Sequence, residues 1–324
     1  MKKYFLTLAA ACALGFASQA AAQVYPLRPV TMIVPYPAGG TTDSIARIMN
    51  ERMKTSLGQP VIIENVTGAG GSIGVGRVAR AAPDGYTLSI GQWATHVLNG
   101  AAYTLSYDPL NDFEPVALLA TNPLIIVAKN AAPAKDLKEL IAWIKANQDK
   151  VSMATVGPGS AAHISGVYFQ NTIGARMNFV PYRGGAPAMQ DLVAGQVDLM
   201  IAQATDALPH VRSGRIKGYA VTAKTRMPMA PDVPAVDEEG LPGFYVSIWH
   251  GIWAPKGTPK TIIAKLNAAV VETLADPAVR QRLTDIGQEI FPRERQTPEA
   301  LGAYQKAEIE KWWPIVKAAG IKPE

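Results

Sequence analysis

The sequence predicts an α/β protein, because short apolar segments of strand type alternate along the chain with segments of helical periodicity. Strands that alternate with helices usually form mostly parallel sheets that are covered by helices on both faces. With 48% hydrophobic and 18% charged residues, the 324-residue chain can bury a substantial core. The strand-type segments are, in order, residues 31–35, 61–64, 86–90, 124–129, 151–154, 177–180, 199–202, 218–222 and 244–253.

Between these segments, apolar residues recur at the spacing that places them on one face of a helix. Three such stripes stand out, each after a strand-type segment. Their members are Ile45, Ile48, Met49 and Met53, then Leu137, Leu140, Ile141 and Ile144, then Ile262, Ile263, Leu266, Val270 and Leu274. A last helical pattern covers residues 298–319, where we expect Pro314 to bend or end the helix.

The first 22 residues predict export from the cytoplasm. Lys2 and Lys3 precede an apolar run over residues 4–16, and three alanines end at Ala22. This pattern is typical of a secretory signal, and the run is too short for a transmembrane helix. We therefore expect cleavage after Ala22 and a soluble protein in the periplasm. Because the single cysteine, Cys12, lies inside the signal, we expect neither disulfides nor a thiol nucleophile in the mature chain.

The charge of the chain is mild. Its 31 basic and 26 acidic residues give a net charge of +5, and removal of Lys2 and Lys3 lowers this to +3. The basic residues are scattered rather than clustered, so we expect no nucleic-acid partner. The four histidines lie far apart without metal-ligand spacing, so we predict no metal and no other cofactor.

Three glycine-rich segments follow predicted strands and lead into predicted helices. They cover residues 35–43, 65–74 and 155–163. In such a position, free backbone N–H groups and hydroxyls point to one place, and the helix dipole favours negative charge there. One such segment alone is as easily an ordinary turn, but three in one chain favour an anion site.

Other chemistries fit these segments less well. The glycine spacing matches neither the dinucleotide fingerprint nor the phosphate-binding loop of nucleotide hydrolases. Ser160 lies in Gly-Pro-Gly-Ser-Ala rather than in the nucleophile elbow of hydrolases. His163, three residues further on, either faces an anion or is an ordinary structural histidine. A secreted hydrolase that uses Ser160 and His163 stays open as a less favoured alternative, because the sequence offers no orienting third group.

Several motifs together resemble the solute-binding receptors of tripartite tricarboxylate transporters, also called Bug receptors. They run in order over nearly all of the mature chain. The matching strings include Pro37-Ala38-Gly39-Gly40, Gly68-Ala69-Gly70-Gly71-Ser72-Ile73-Gly74, Pro83-Asp84-Gly85-Tyr86, Gly159-Ser160-x-x-His163, Pro181-Tyr182-Arg183-Gly184 and Ala207-Leu208-Pro209-His210.

The resemblance implies an α/β clamshell of two domains, similar to type II periplasmic binding proteins, which closes on a ligand in the interdomain cleft. The chain would cross between the domains twice. The implied first domain is discontinuous and covers residues 23–123 plus 248–324, and the second covers residues 124–247.

The resemblance also implies that the first and third glycine-rich segments hold one carboxylate of the ligand. Carried over by position, this points to Ala38, Gly39, Thr41, Thr42, Ser160, Ala161 and His163. The full set of ligand-binding candidates adds Tyr36, Trp93, Thr95, Gly159 and Arg183.

The chain departs from many relatives at two places that bear on the ligand. An aspartate-asparagine pair is replaced by Ala202-Gln203, which removes support for an amino-acid ligand. Trp93 offers a flat wall for a longer aliphatic or aromatic dicarboxylate, or it simply packs in the core. Arg183 either pairs with a second carboxylate or forms a salt bridge between the domains.

The expected function is therefore capture of an organic carboxylate, with a dicarboxylate as the first candidate. The protein would work as a monomer, perform no catalysis and deliver its ligand to integral-membrane transporter subunits. A receptor that presents its closed form to a membrane signalling protein would share the same site and is the second alternative.

Overall fold

A computed structural model of the chain describes residues 25–157 and 159–320. The predicted export signal, with Cys12 and cleavage after Ala22, lies outside the described residues. Within the described part, no helix is both long and apolar enough to cross a lipid bilayer.

Strands and helices alternate along the described chain, as the sequence predicts. The elements are β1 (Val30–Val34), α1 (Thr41–Leu57), β2 (Val61–Asn65), α2 (Ser72–Ala79), β3 (Thr87–Gln92), α3 (Asn99–Ala102), β4 (Phe113–Lys129), α4 (Leu137–Ala146), β5 (Ser152–Thr155), α5 (Ala161–Ile173), β6 (Asn178–Pro181), α6 (Gly185–Val193), β7 (Leu199–Gln203), α7 (Ala204–Arg212), β8 (Ile216–Val221), β9 (Ser247–Pro255), α8 (Lys260–Ala275), α9 (Pro277–Asp285), β10 (Glu289–Ile290) and α10 (Pro298–Ala318). Residues 94–98 form an additional short turn of π-helix before α3.

The strands form one continuous mixed sheet in the order β2-β1-β3-β9-β4-β7-β5-β6, with β10 and β8 also paired to β4. The pairs β1–β2, β1–β3, β5–β6 and β5–β7 are parallel. Every described pair that involves β4 or β9 is antiparallel. The expectation of mostly parallel sheets is therefore wrong, because two long strands run against their neighbours.

The strand β4 joins two lobes. Its residues 113–123 pair with β9, and its residues 124–129 pair with β7 and β8. We call the part built on β1, β2, β3, β9 and β10 the first lobe, and the part built on β5 to β8 the second lobe. The chain passes from the first lobe to the second along β4 and returns at the start of β9. The residue limits of the two domains stay a prediction.

Helices cover the first-lobe sheet on both faces. On one face, α1 buries Ile45 and Met49 against β1 and β3, and α8 beside it buries Leu266 over β4. On the other face, α10 brings Trp312 into the core. This helix continues through Pro314 to its end at Ala318, so it does not end at the proline. The buried side chains of Trp312 and Val316 on either side of Pro314 hold the last turn against the core.

The passage between the lobes is held together by a buried threonine. The Thr222 hydroxyl lies 3.0 Å from the backbone nitrogen of Leu124 and 2.6 Å from the carbonyl oxygen of Val246. Leu124 lies where β4 enters the second lobe, and Val246 lies just before β9. The Thr222 side chain thus connects both chain crossings at the point where the lobes are joined.

We expect Thr222→Val to lower the free energy of unfolding by about 1–3 kcal/mol, because buried backbone groups at both crossings lose their hydroxyl partner. Urea denaturation measures this effect. Thr222→Ser is the matched control, because it keeps the hydroxyl and loses one methyl group, and we expect it to stay closer to the wild type. Equal losses in the two variants would show that the hydroxyl has no role at the junction.

Candidate functional site

The first glycine-rich segment is held by a buried aspartate. One carboxylate oxygen of Asp43, Oδ2, accepts hydrogen bonds from the Gly39 backbone N–H at 2.9 Å and from Arg47 Nε at 2.8 Å. The other, Oδ1, accepts from Asn65 Nδ2 at 3.0 Å. Burial raises the pKa of Asp43, but the hydrogen bonds from Arg47, Gly39 and Asn65 outweigh it and lower the pKa to about 2. The side chain is therefore a carboxylate at neutral pH and keeps the segment in place.

This arrangement corrects the expected role of Gly39. Its backbone N–H donates to Asp43 and is not free for a ligand. Gly39 has a φ of +85°, which favours glycine and turns the chain sharply before α1. Gly39 therefore shapes the site instead of donating to the ligand.

The N-terminus of α1 is open. Its N-cap residue, Gly40, has no side chain and so cannot cap the helix, whereas the N-caps of α4, α5, α9 and α10 do accept such hydrogen bonds. The first amides of a helix have no partner within the helix, and their partial positive charge favours an anion. Thr41 and Thr42 lie at this end, with Thr42 buried and Thr41 half-buried.

Three adjoining cavities lie between the lobes, and the N-terminus of α1 lines two of them. Their volumes are about 430, 270 and 140 Å³. Thr41 lines the first two, Asp206 lines the first and third, and Gln203 and Ile248 line the second and third. Because neighbouring cavities share these residues, we treat them as one space and call it the cleft.

In the 270 Å³ cavity, several polar groups surround the end of α1. Tyr36, Gln92 and His250 line it together with Thr41 and Thr42. The Thr42 hydroxyl lies 3.2 Å from His250 Nε2, and this contact is buried. Burial lowers the pKa of His250 to about 3, so the imidazole is neutral at neutral pH. Burial also raises the pKa of the Tyr36 phenol, which keeps its proton. The first-lobe wall therefore presents neutral polar groups.

The third glycine-rich segment is organised by its own hydrogen bonds. The Ser160 hydroxyl donates to the Gly157 carbonyl oxygen at 2.7 Å and accepts from the His163 backbone N–H at 3.2 Å, which caps α5. The Gly159 backbone N–H donates to His163 Nδ1 at 3.2 Å. The neutral imidazole then carries its proton on Nε2. Burial lowers the pKa of His163, which favours this neutral form.

These contacts correct two expectations for this segment. The Ser160 hydroxyl and the Gly159 N–H serve the loop itself, so they are not free donors for a carboxylate. Ser160 also bonds the backbone of His163 and not its ring, so the described residues do not form the serine–histidine pair that a hydrolase needs. Of this segment, Ala161 lines the cleft.

Other predicted ligand residues do not line the three cavities. Trp93 is fully buried and packs edge-on against Trp312, with ring centroids 4.8 Å apart, so it packs in the core and does not form a wall of the cleft. Thr95 is also fully buried, and its hydroxyl lies 3.0 Å from His96 Nδ1. The other predicted ligand-binding residues that do not line the three cavities are Ala38, Gly159, Ser160, His163 and Arg183.

The second glycine-rich segment does not line the cleft either. Its Gly70 carbonyl oxygen accepts a hydrogen bond from Asn99 Nδ2 at 3.0 Å, and the Tyr103 ring packs close to Gly70. The positive φ angles of Gly68, Gly70 and Gly71 let the chain turn tightly into α2. This segment is therefore a structural turn beside the site.

Sequence reasoning missed several residues of the cleft. Gln92 and Gln203 end the strands β3 and β7, and His250 lies within β9. The available signal was a polar residue within or at the end of an apolar run. Asp206 follows in the first turn of α7 and lines two of the three cavities. Of the predicted ligand-binding residues, those that line the cleft are Tyr36, Gly39, Thr41, Thr42 and Ala161.

Two α/β lobes joined by two chain crossings, with a helix N-terminus open to the cleft between them, define a solute-binding protein of the periplasmic type. The chain belongs to the receptor family of tripartite tricarboxylate transporters. The model of this family, described as the tripartite tricarboxylate transporter family receptor, matches residues 45–321.

Solved structures of relatives agree with this assignment. The periplasmic binding protein BugD is 42% identical, with a TM-score of 0.77, over 93% of this chain and 100% of BugD. MatC from Rhodopseudomonas palustris, solved with bound malate, is 43% identical, with a TM-score of 0.77, over 90% of this chain and 100% of MatC. Another R. palustris protein, solved with adipate, is 33% identical, with a TM-score of 0.79, over 93% of this chain and 100% of that protein.

Proposed function

We propose that this protein binds an organic carboxylate in the periplasm, as a monomer, and delivers it to the membrane subunits of a tripartite tricarboxylate-type transporter. Dicarboxylates are the first candidates for the ligand. The observation that carries the proposal is the uncapped N-terminus of α1, which opens into the cleft beside Thr41 and Thr42. The relatives solved with malate and adipate support the same class of ligand.

The polarity of the first-lobe wall suits a carboxylate. A carboxylate that leaves water needs hydrogen-bond donors in exchange, and backbone amides at a helix N-terminus with threonine hydroxyls provide them. Asp43 is buried behind the loop, and its charge is balanced by Arg47, Asn65 and the Gly39 N–H. In the 270 Å³ cavity, whose described lining includes no acidic side chain, the ligand carboxylate would therefore meet the amides of α1.

The function needs binding and release and no covalent step. The lobes are connected by β4 and by the segment that leads into β9, so a movement about this junction can open and close the cleft. Burial of a ligand that contacts both walls would stabilise the closed arrangement.

A thermal-shift screen of the mature chain from Gln23 onward tests the proposal. The panel holds mono-, di- and tricarboxylates, with sugars and inorganic phosphate as controls. A ligand at about 100 times its dissociation constant stabilises the folded state by about 2.7 kcal/mol, which gives a clear rise in melting temperature. We expect this rise with some carboxylates and with none of the sugars. Protein shown to be free of ligand that responds to no carboxylate would contradict the proposal.

For a carboxylate that binds, Thr41→Val tests the position of the site. We expect about tenfold weaker binding, because one hydrogen bond to a charged group is worth about 1.5 kcal/mol or more. Thr67→Val is the matched control, since Thr67 is an exposed threonine in the second glycine-rich segment, which does not line the cleft. Isothermal titration calorimetry gives both affinities. Similar losses in the two variants would show that the carboxylate does not bind at α1.

A further inference from the structure

The second-lobe wall of the cleft carries an acidic side chain at its centre. Asp206 lies in the first turn of α7 and lines both the 430 Å³ cavity and the 140 Å³ cavity. It lines the 430 Å³ cavity together with Thr41 and the 140 Å³ cavity together with Ala161. Among the residues that the structure describes, no hydrogen-bond donor or cation pairs with its carboxylate. An acceptor group therefore faces the space where a ligand would lie.

The Asp206 carboxylate also lies near the start of a second helix. A Cβ atom added to Gly185, the first residue of α6, would lie 3.5 Å from Asp206 Oδ2. The N-cap of α6 is Gly184, which has no side-chain cap. This helix end would otherwise attract an anionic group of a ligand, and the protein places its own carboxylate beside it.

The other charged groups of the 430 Å³ cavity do not neutralise Asp206. Arg212 donates a hydrogen bond to the Met229 carbonyl oxygen, and Asp285 on α9 faces the same cavity from the first lobe. The Asp285 carboxylate accepts a hydrogen bond from Gln281 Nε2 at 2.8 Å. Two carboxylates and one guanidinium thus line this cavity, so its charge disfavours a further anionic group.

We propose that Asp206 selects a carboxylate ligand that carries a hydrogen-bond donor, either a hydroxyl or an ammonium group, directed at the second lobe. The inference rests on the proposed function, because it assumes that a carboxylate of the same ligand binds at α1. A donor satisfies the Asp206 carboxylate, whereas a ligand without one leaves that group desolvated on closure. In this structure the Asp206 side chain is exposed to the open cleft, and its partial enclosure there raises its pKa.

This inference changes the expectation for ammonium ligands. Ala202 and Gln203 had argued against an amino acid, because many relatives have an acid there. In the folded chain, Asp206 brings an acid to the cleft from the next helix. The acid that would recognise a donor is thus present at a different position.

Three matched ligand series test the proposal by calorimetry. Each series keeps the carbon chain and changes one substituent from hydrogen to hydroxyl to ammonium. The series are succinate, malate and aspartate, then adipate, 2-hydroxyadipate and 2-aminoadipate, then propionate, lactate and alanine. In the series that fits the cleft, we expect the wild type to bind a donor-bearing member about tenfold or more tighter than the unsubstituted member. Whichever of the hydroxyl and ammonium members binds more tightly then identifies the donor.

Two variants assign this preference to a residue. In Asp206→Asn we expect the preference for a donor-bearing ligand to fall to about threefold or less, because a neutral amide replaces the charged acceptor. Asp285→Asn is the matched control, because it removes an acid from the other wall of the same cavity, and we expect the preference to persist.

The outcomes separate the two proposals. A wild type that binds carboxylates without regard to the donor would overturn the role of Asp206 and leave the proposed function standing. The role of Asp206 would also be overturned if the preference for donor-bearing ligands persisted in Asp206→Asn. The same conclusion would follow if this preference fell equally in Asp285→Asn. A wild type that binds no member of any series, although other carboxylates bind, would contradict the inference alone. Failure of every carboxylate would contradict the proposed function itself.

Discussion

Replacement of Gly91 by alanine will lower the free energy of unfolding by about 3 kcal/mol or more, because the buried strand β3 has no room for a methyl group. A Cβ atom at this position would clash with the Cε1 and Nδ1 atoms of the His96 ring. The ring cannot move away easily. It is stacked on Trp253 with centroids 3.7 Å apart, and its Nδ1 lies 3.0 Å from the Thr95 hydroxyl.

Urea denaturation at neutral pH measures the effect, with Gly302→Ala as the matched control. Gly302 lies in α10, where an added Cβ would meet Pro115 Cγ at 3.5 Å, an ordinary van der Waals contact. Alanine is favoured over glycine inside a helix by about 1 kcal/mol, so we expect the control to be unchanged or slightly more stable. Equal stabilities of the two variants would show that His96 does not close off the space beside Gly91.

The second large effect is a loss of stability in mild acid, caused by two buried histidines. Burial lowers the pKa of His96 and of His250 to about 3, from an ordinary value of 6.5. Between these two values the unfolded chain takes up a proton at each histidine and the folded chain does not. The stabilising contribution is therefore complete above pH 6.5 and is lost as the pH falls. Each histidine should cost about 1.4 kcal/mol for each pH unit below its unfolded pKa.

The measurement is the free energy of unfolding at several pH values from about 7 down to about 5, for the wild type and the double variant His96→Phe, His250→Gln. Phenylalanine keeps the ring that stacks on Trp253, and glutamine keeps a polar group near Thr42. We expect the double variant to depend on pH much less steeply than the wild type. Other groups, such as His163, titrate in both proteins and cancel in the comparison. Parallel curves would show that neither ring is held neutral by the fold.

The sequence predicts the elements of this fold well because local patterns encode them. The stripe of Ile45, Met49 and Met53 is buried on α1, as its helical spacing indicates. The antiparallel direction of β4 and β9 could not be predicted in the same way. Strand direction depends on which distant segments pair, and a run of apolar residues such as 124–129 carries no information about its partner.

In the candidate site too, some features could be predicted from local sequence and others depend on the folded structure. The first glycine-rich segment was predicted to take part in an anion site because it lies between a strand and a helix, and the resemblance to the receptor family then pointed to Thr41 and Thr42 within it. The hydrogen bonds that occupy the Gly39 and Gly159 N–H groups were not predicted, because Asp43 and His163 can form them only once the loops have closed. Trp93 was a candidate for the cleft because it departs from the small polar residues of many relatives, with packing in the core as the alternative. The structure shows the alternative, because its indole lies in the core beside the turn at residues 94–98.

The sequence alone determined the α/β class and the three glycine-rich turns, because each depends on neighbouring residues, and it indicated the family through motifs that follow one another along the chain. Only the tertiary structure decided which of these turns face the cleft and which acidic residues line it. Asp206 lies on the second lobe and Thr41 on the first, and the 430 Å³ cavity between them exists because β4 and β9 hold the two lobes together. Positions so far apart in the chain become neighbours through packing, which no local pattern records.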